Sequence, residues 1–279
     1  MPINECLGKV YLQNRKLIDV SQFDDSFLLS QSYIYEVFRV QEGVALFLED
    51  HLSRLEQTCQ LSNYCPGFDV SEVYDQVYAL IRANNLETGN IKVVLRLDDK
   101  DQPDFRVYIN PHQYPTQEQY IKGVDLSLFK AIRNNPNAKV MDLRLRNATN
   151  LAREQLNVYE ALLVDNKGCI TEGSRSNIFF IRNDKVITPP VEDVLPGITR
   201  KHVMEVCRQL QIKVVEEKVP ARSLVVMEAL FISGTSRKVL PVKHVDGLGF
   251  DPAHPLLLQI REGFDEKVRR YIQGHVKNP

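Results

Sequence analysis

The sequence EALLVDNKGCITEGSRSNIFFI, residues 160–181, carries the clearest strand pattern of the chain. Two apolar runs, Glu160–Val164 and Cys169–Ile181, are separated by the polar residues Asp165-Asn166-Lys167-Gly168. Asp and Asn favour turns and glycine adopts positive φ at little cost, so we expect a hairpin turn that ends at Gly168. The pattern therefore predicts two neighbouring strands in the second half of the chain.

A carboxylate, Glu172, interrupts the second apolar run within the segment Thr171–Asn177. Burying this charge is costly unless a cation meets it. A protonated ring nitrogen of a bound molecule or an arginine of the chain would each serve as that cation. The residues alone leave both interpretations open.

Two further segments place small and hydroxylated residues beside apolar runs. The segment Leu195–Arg200, LPGITR, precedes an apolar stripe at helical spacing. The start of a helix there would offer N–H groups to an anion such as phosphate, or Thr199 would simply cap its own helix. The segment Ser233–Arg237, SGTSR, follows the apolar run Ala229–Ile232, and is either the lining of a polar pocket or a plain turn. The apolar stripe that follows Leu195–Arg200 consists of Val203, Val206, Cys207 and Leu210.

The first third of the chain mixes strand and helix patterns. Apolar residues recur at helical spacing over Leu48–Cys59 and again over Val70–Ile81. Asp69 and Glu72 stand three apart at the start of the second pattern and predict a capping box. Alternating or clustered β-branched and aromatic residues predict strands at Lys9–Leu12, Ile34–Val40, Ile91–Leu97 and Phe105–Ile109.

A polar segment, INPHQYPTQEQYIKG, divides the chain, since it has two prolines and no apolar periodicity. We predict an α+β protein with a small domain at 1–112, an interdomain linker at 113–122 and a larger domain at 123–279. The patterns beyond the linker are a strand in GVDLSLFKAI, a helix over Leu145–Gln155, and a C-terminal helix carrying Leu257, Ile260, Phe264, Val268 and Tyr271.

Composition excludes several classes of protein. The chain has 279 residues, and its 35 Lys+Arg against 36 Asp+Glu leave no basic surplus for a nucleic-acid partner. The 43% of hydrophobic residues argues against wholesale disorder. The five cysteines are odd in number and lack a C-x-x-C pair, and the histidines lack metal-ligand spacing. With no signal-peptide pattern and no apolar run of membrane length, we predict a cytoplasmic protein without a metal or a membrane partner.

The order and spacing of these motifs resemble a known family. The segments EALLVDNKGCITEGSRSNIFFI, LPGITRKHV and SGTSRKVLPV are similar to those of the class IV, or fold type IV, pyridoxal-phosphate enzymes. In the first third, YIYEVFRVQEGVALFLEDHLSRLEQT resembles the family's strand–turn–helix segment. The family includes branched-chain aminotransferases, D-amino-acid aminotransferases and aminodeoxychorismate lyase. The resemblance implies a small α/β domain, a larger pseudo-barrel domain, pyridoxal 5'-phosphate as cofactor, and a homodimer.

The resemblance also implies which lysine reacts. The family's lysine precedes the Y/D-E-A-L-L strand by a fixed interval, and counting back 21 positions from Glu160 reaches Lys139. The competing candidate, Lys130, lies nine residues too early. Lys139 would hold the cofactor as a Schiff base and move the substrate's proton, and a desolvated site would help both roles by lowering its pKa.

Other family roles transfer to positions that match. Glu172 corresponds to the acid that keeps the pyridine nitrogen protonated, and Arg54 to the arginine that binds the cofactor phosphate. Tyr35 and Arg96 are the candidate substrate residues. The remaining candidates for the cofactor phosphate are Ile198, Thr199, Thr235 and Ser236.

Several positions depart from the family pattern. Asp142 replaces an asparagine after the lysine, and Arg144 stands where some members have a tyrosine. Ser30-Gln31-Ser32 replaces a Gly-Asp-Gly, and no R-x-H carboxylate trap follows Arg96. These departures affect the substrate side and the flank of the lysine, while the phosphate side is intact.

The leading hypothesis is an aminotransferase that acts between a small amino acid or amine and a 2-keto acid. Aminodeoxychorismate-lyase chemistry is one alternative, although Glu36-Val37 resembles the transaminase pattern. A cofactor-binding homologue without catalysis is the other, motivated by Asp142 and Arg144.

Overall fold

The computed structural model describes residues 5–26, 28, 33–65, 69, 71–97 and 103–276, and these form two compact units. The first unit comprises Met1–Gln113, Ala138–Leu143 and Arg269–Pro279, and the second comprises Tyr114–Asn137 and Arg144–Val268. Both units are therefore built from discontinuous stretches of chain. The boundaries of the predicted domains, 1–112 and 123–279, remain a prediction.

The first unit contains a six-stranded antiparallel sheet in its described part, with strand order β2-β1-β6-β5-β3-β4. Alternation along β3 sets which face is buried, so that Phe38 and Val40 lie in the core while their neighbours point to the other face. The predicted strands are all present. The strands are β1 Leu7–Gln13, β2 Lys16–Asp19, β3 Ile34–Gln41, β4 Val44–Ala45, β5 Thr88–Leu97 and β6 Pro103–Asn110.

Two helices, α1 (Leu48–Leu61) and α2 (Glu72–Asn84), supply the rest of this core. Their buried residues recur every three or four positions, as the sequence pattern predicted. Val70, the first residue of the second predicted pattern, lies outside the described residues. Each fully buried aliphatic side chain contributes about 1.5–3 kcal/mol by leaving water. The buried core residues of the two helices are Leu48, Leu52, Leu55, Cys59, Val73, Val77, Leu80 and Ile81.

The predicted capping box at Asp69 and Glu72 is wrong. Helix α2 has Ser71 as its N-cap, in helical backbone conformation and without a side-chain cap. The Asp69 carboxylate instead accepts a hydrogen bond of 2.8 Å from the Ser71 N–H, which makes a local turn. A capping box does form at Thr116 and Gln119, where the N-cap residue is extended.

The segment predicted as a linker, 113–122, contains the short helix α3 (Gln117–Lys122) that this capping box opens. The helix belongs to the second unit and leads directly into strand β7 (Val124–Lys130). The role of 113–122 as a linker remains a prediction.

The second unit is built on a mixed sheet of ten described strands that curls into a half-barrel. Its order is β12-β11-β10-β14-β15-β7-β8-β9-β13, with β16 paired to β15. The β15–β7, β7–β8 and β11–β12 pairs are parallel and the others are antiparallel. The remaining strands are β8 Glu160–Val164, β9 Cys169–Gly173, β10 Asn177–Arg182, β11 Lys185–Thr188, β12 Lys213–Glu216, β13 Val219–Pro220, β14 Ala229–Gly234, β15 Lys238–Val245 and β16 Leu248–Gly249.

The hairpin within residues 160–181 forms as predicted, with Gly168 at φ 76° between β8 and β9. The Asp165 carboxylate stabilises the turn by accepting hydrogen bonds from the Lys167 and Cys169 N–H groups, at 2.9 and 2.8 Å. The expected single run Cys169–Ile181 is two strands instead of one. The chain turns after β9, where the Gly173 N–H donates to the Ser176 carbonyl at 2.8 Å, and β10 then pairs with β14.

Three longer helices complete the described fold: α4 (Leu143–Gln155), α5 (Ile198–Gln209) and α6 (Pro255–Val276). In the part of the chain that the structure describes, no helix is long and apolar enough to span a membrane. The same residues contain no cluster of three or more His, Cys, Asp or Glu that could hold a metal ion. All five cysteines are free thiols. The buried stripe residues of α5 and α6 are Val203, Val206, Cys207, Leu257, Ile260, Phe264 and Val268.

Candidate active site

In the first unit, Lys139 lies on a segment fixed to the start of β3. The Tyr35 N–H donates to the Lys139 carbonyl at 3.1 Å, and the Lys139 N–H donates to Thr58 Oγ1 at 3.2 Å. An isolated antiparallel bridge joins Val140 to Ile34. Backbone hydrogen bonds on both sides of the residue therefore fix where its side chain begins.

The structure brings the predicted residues Lys139 and Tyr35 together. Lys139 Nζ lies 4.7 Å from the centroid of the Tyr35 ring, a cation–π contact, and Tyr35 is buried. Lys139 is itself half-buried, whereas the competing candidate Lys130 is exposed at the end of β7 in the second unit. Of the two lysines, Lys139 is the one with a partly desolvated amine beside an aromatic ring.

A buried carboxylate, Glu36, holds the predicted phosphate ligand Arg54. Arg54 Nε and Nη2 donate to the two Glu36 oxygens at 2.7 and 2.8 Å, and His51 Nδ1 lies 2.8 Å from Oε2. All three side chains are buried. Burial alone would raise the pKa of Glu36, but the charge and hydrogen bonds of Arg54, with the hydrogen bond of His51, hold it well below its usual range.

The charge of Lys139 acts on His51, and thus on the group formed by Glu36, His51 and Arg54. Burial lowers the pKa of His51, Glu36 acts in the opposite direction, and the charges of Arg54 and Lys139 lower it further. His51 is therefore neutral at pH 7, since its ordinary value is already 6.5. The first unit thus places two cations, Arg54 and Lys139, near one ionised acid and one neutral imidazole.

Arg96, the other predicted substrate residue, pairs with the residue opposite it in the sheet. Its Nε lies 3.4 Å from Asp104 Oδ2, and the two residues are register partners on β5 and β6. The arginine side chain is largely buried. Its guanidinium is thus oriented by an acid on the neighbouring strand.

In the second unit, Glu172 is 3% exposed and has a cationic partner. Arg133 Nε lies 2.8 Å from Glu172 Oε1, and the Leu195 N–H donates to Oε2 at 3.1 Å. Of the two interpretations that the sequence left open, the structure contains the arginine pair. The carboxylate nevertheless has the burial that an acid needs to hold a proton on a ring nitrogen.

Helix α5 begins without a side-chain cap. Its N-cap is Gly197, so the interpretation in which Thr199 caps its own helix is wrong. Ile198 and Thr199 are buried in the first turn, where N–H groups have no intrahelical acceptor. A Cβ at Gly197 would overlap with Asn177 Oδ1, so a larger residue there would displace the buried Asn177 side chain. A twelve-residue helix with an uncapped start fits a phosphate group.

Thr235 and Ser236 lie in the turn between β14 and β15, and both are half-buried. The Arg237 N–H donates to the Gly234 carbonyl at 3.1 Å, so the backbone forms the plain turn that was one of two expectations. This geometry does not prevent the two hydroxyls from binding a ligand.

The comparisons with known proteins agree with the sequence resemblance. Residues 33–245 match the model of the family described as amino-transferase class IV. This chain belongs to the class IV aminotransferases. It is 32% identical over 257 residues to a putative branched-chain-amino-acid aminotransferase of Methanocaldococcus jannaschii, covering 86% of this chain and 88% of the relative.

Two further similarities extend the comparison. A D-alanine aminotransferase of Staphylococcus haemolyticus is 27% identical over 288 residues, covering 94% of this chain and 98% of the relative. The fold matches that of the branched-chain aminotransferase of the archaeon Thermoproteus uzoniensis, solved with norvaline. That match has a TM-score of 0.85 and 22% identity, and covers 97% of this chain and 98% of the other. The predicted fold type IV architecture is confirmed.

Class IV aminotransferases transfer amino groups with pyridoxal phosphate, and this class IV aminotransferase uses that cofactor. Each unit contains groups of a kind that the cofactor requires: the first has an amine beside an aromatic ring at Lys139, and the second has a buried acid at Glu172 and an uncapped helix start at Gly197. The donors and the acid are of the types that an aldehyde, a pyridine nitrogen and a phosphate require.

Sequence reasoning missed three residues: Glu36, His51 and Arg133. Glu36 shares one face of β3 with Ile34 and Phe38, so strand alternation would have flagged it as a buried acid. Of the departures from the family pattern, Asp142 is half-buried and Arg144 is exposed, while Ser30-Gln31-Ser32 lies outside the described residues.

Proposed function

We propose that Lys139 is the catalytic lysine of an aminotransferase acting between a small amino acid or amine and a 2-keto acid. The observation that carries the proposal is the half-buried Lys139 amine, 4.7 Å from the Tyr35 ring and fixed by backbone hydrogen bonds at the start of β3. Pyridoxal phosphate, when bound, supplies the carbonyl and the electron sink. Lys139 would hold it through Nζ, and the same amine, once the substrate's amino group has displaced it, would carry the substrate's proton.

The remaining candidates bind and orient the cofactor. Glu172 holds a proton on the pyridine nitrogen, a role supported by its burial and by its fixed position against the Leu195 N–H. Arg54 is proposed to bind the phosphate while Glu36 fixes its orientation, which a bidentate contact does well. The other proposed phosphate ligands are Ile198, Thr199, Thr235 and Ser236.

Tyr35 and Arg96 are proposed to face the substrate. Tyr35 supplies an aromatic surface beside the amine, and Arg96 a cation for a carboxylate. Relatives named as branched-chain and as D-alanine aminotransferases support a small amino acid as substrate. They favour amino-group transfer over lyase chemistry, because both names describe transfer.

The decisive experiment compares Lys139→Ala with Lys130→Ala in the holoenzyme. We expect Lys139→Ala to lower transamination by about 10²–10⁴-fold or more, the range for loss of a positioned proton carrier, and to remove the visible absorbance of the covalently held cofactor. Lys130→Ala should change neither property, because its amine is exposed. Unchanged turnover and absorbance in Lys139→Ala would refute the assignment.

A panel of amino donors and keto acids separates the three functional hypotheses. Transfer from a donor to a keto acid supports the aminotransferase. Release of pyruvate without transfer would point to the lyase, and bound cofactor with no response to any donor would point to a homologue without catalysis.

We also propose that the enzyme is a cytoplasmic homodimer, with domains at 1–112 and 123–279 joined by 113–122. The free thiols support a reducing compartment. The homodimer follows from the family resemblance, and light scattering of the purified protein tests it.

A further inference from the structure

Helix α4 of the second unit carries a polar stripe with two arginines. Arg146, Asn150 and Arg153 are spaced by four and three residues, so they lie on one face of the helix. Two more arginines stand on neighbouring turns, Arg175 between β9 and β10 and Arg237 between β14 and β15. We refer to Arg146, Arg153, Arg175 and Arg237 as the arginine cluster.

Short contacts join the two turns. Arg237 Nε lies 3.0 Å from Glu160 Oε2, and the Arg175 backbone N–H donates to Glu160 Oε1. The Arg237 guanidinium also stacks over the Tyr159 ring, 5.4 Å from its centroid. Glu160 is 1% exposed and contacts both turns, so this buried carboxylate links them.

A further contact joins the turns to the helix. The Arg175 guanidinium donates to Asn150 Oδ1, which lies on the same helix face as Arg146 and Arg153. This acceptor is neutral, so it satisfies a donor without compensating the charge. One guanidinium, that of Arg237, thus meets the buried Glu160, while the Arg175 guanidinium lies against the helix face that carries Arg146 and Arg153.

The arginines of the cluster repel one another. Arg175 is exposed, yet partial desolvation lowers its pKa to about 10, the charges of Arg146, Arg153 and Arg237 act in the same direction, and Glu160 acts in the opposite one. Like charges held close together cost free energy that an anion would return.

We propose that the arginine cluster binds a ligand that carries at least two negative charges on carboxylate or phosphate oxygens. A guanidinium group binds such oxygens through paired N–H donors in a fixed plane, whereas a lysine ammonium offers a single point charge on a flexible chain.

Two sources of this chemistry are compatible with the site. Arg175 follows Glu172 by three residues, and Arg237 directly follows Thr235-Ser236, which is compatible with an anion on the side chain of the amino-acid or keto-acid substrate. A separate effector anion is the other source. Binding of the anion itself does not depend on the proposed catalytic residues.

The test measures binding of citrate and of pyrophosphate to the holoenzyme by calorimetry at constant ionic strength. We expect Arg146→Gln and Arg153→Gln each to raise Kd about tenfold, with Arg144→Gln as the matched control. Arg144 is exposed on the same helix and does not belong to the cluster. Absence of binding, or equal losses in Arg144→Gln and Arg153→Gln, overturns the proposal.

The same variants distinguish the sources. If the anion belongs to the substrate, citrate competes with an acidic amino donor, and Arg153→Gln lowers kcat/KM for that donor about tenfold while alkyl donors are unaffected. If it is an effector, citrate binds without competing with any donor. Lys139→Ala should keep its citrate binding, so failure of the proposed function and failure of the anion site give different results.

Discussion

Two buried glutamates, one in each compact unit, are paired with arginine in different ways. Glu36 is fully buried, accepts from Arg54 through both carboxylate oxygens at 2.7 and 2.8 Å, and also meets His51. Glu172 is 3% exposed, meets Arg133 through Nε at 2.8 Å, and accepts from a backbone N–H. Both oxygens of the first carboxylate contact side chains, whereas the second carboxylate is held partly by the main chain.

This difference fits the positioning role proposed for Glu36 and the chemical role proposed for Glu172. A carboxylate that grips a guanidinium through both oxygens fixes the direction of that guanidinium, which suits Glu36 as the support of Arg54. A carboxylate anchored by the Leu195 N–H keeps its place whichever cation it meets, which suits Glu172 for contact with a ring nitrogen. The following substitutions test this distinction.

The largest effect on folding is expected from Glu36→Gln. Removing this carboxylate charge leaves the buried Arg54 cation uncompensated, and breaking such a pair costs about 3–5 kcal/mol. Urea unfolding of the purified protein measures the loss. The control is Glu72→Gln, which breaks the exposed Arg15–Glu72 pair of the same unit and should cost less than ~1 kcal/mol. Equal losses in the two variants would show that Glu36 does not stabilise the unit.

Glu172→Gln should affect catalysis more than folding. An amide cannot hold the proton of the pyridine nitrogen as a carboxylate does, and we expect kcat/KM to fall about 100-fold, or ~2.7 kcal/mol of transition-state stabilisation. The control is Glu216→Gln, which removes the partner of Arg200 in the same unit and should leave kcat/KM unchanged. If Glu172→Gln kept full activity while unfolding at lower urea, both glutamates would be structural.

Much of the fold is predictable from the sequence because apolar periodicity decides it. The hairpin at Gly168, the C-terminal helix and most of the α5 stripe followed from residue spacing. Leu210 was expected in that stripe, but it is the C-cap of α5 and is 44% exposed. Capping was not decided in this way, since Asp69/Glu72 and Thr116/Gln119 both have the spacing of a capping box. Backbone conformation at the N-cap selected the second pair, and residue types do not specify it.

A residue of the candidate site could be predicted only where its role follows from its own position in a motif or a strand. Lys139 and Glu172 could be assigned from position in a motif, and Glu36 could have been found from alternation along β3. Arg133 could not, because it is 39 positions from Glu172 and only the curled sheet of the second unit brings them together. The partner that satisfies a buried charge is a property of the tertiary structure.

The smallest expected effect is a pH dependence that sharpens the contrast further, because the Glu36 pair includes a histidine, His51. The pKa of His51 is lowered in the folded state, chiefly by burial, so the unfolded chain takes up this proton first as the pH falls below about 6.5. Stability from His51 is therefore present above that pH and is lost toward lower pH, with a slope of at most ~1.4 kcal/mol per pH unit for one proton. The pKa of Glu36 is also lowered, and its own contribution is lost only below its ordinary value of 4.5.

Of these two residues, His51 and not Glu36 therefore causes the loss of folding stability between pH 6.5 and 4.5. In His51→Gln, whose amide keeps a donor for Glu36, we expect thermal stability to fall less between pH 7 and pH 5 than in the unsubstituted enzyme. His112→Gln is the matched control, since His112 is exposed in the same unit and should leave the pH profile unchanged. An identical pH profile in all three proteins would mean that His51 titrates alike in the folded and unfolded chain. The contact between His51 and Glu36 would then contribute nothing to the pH dependence of stability.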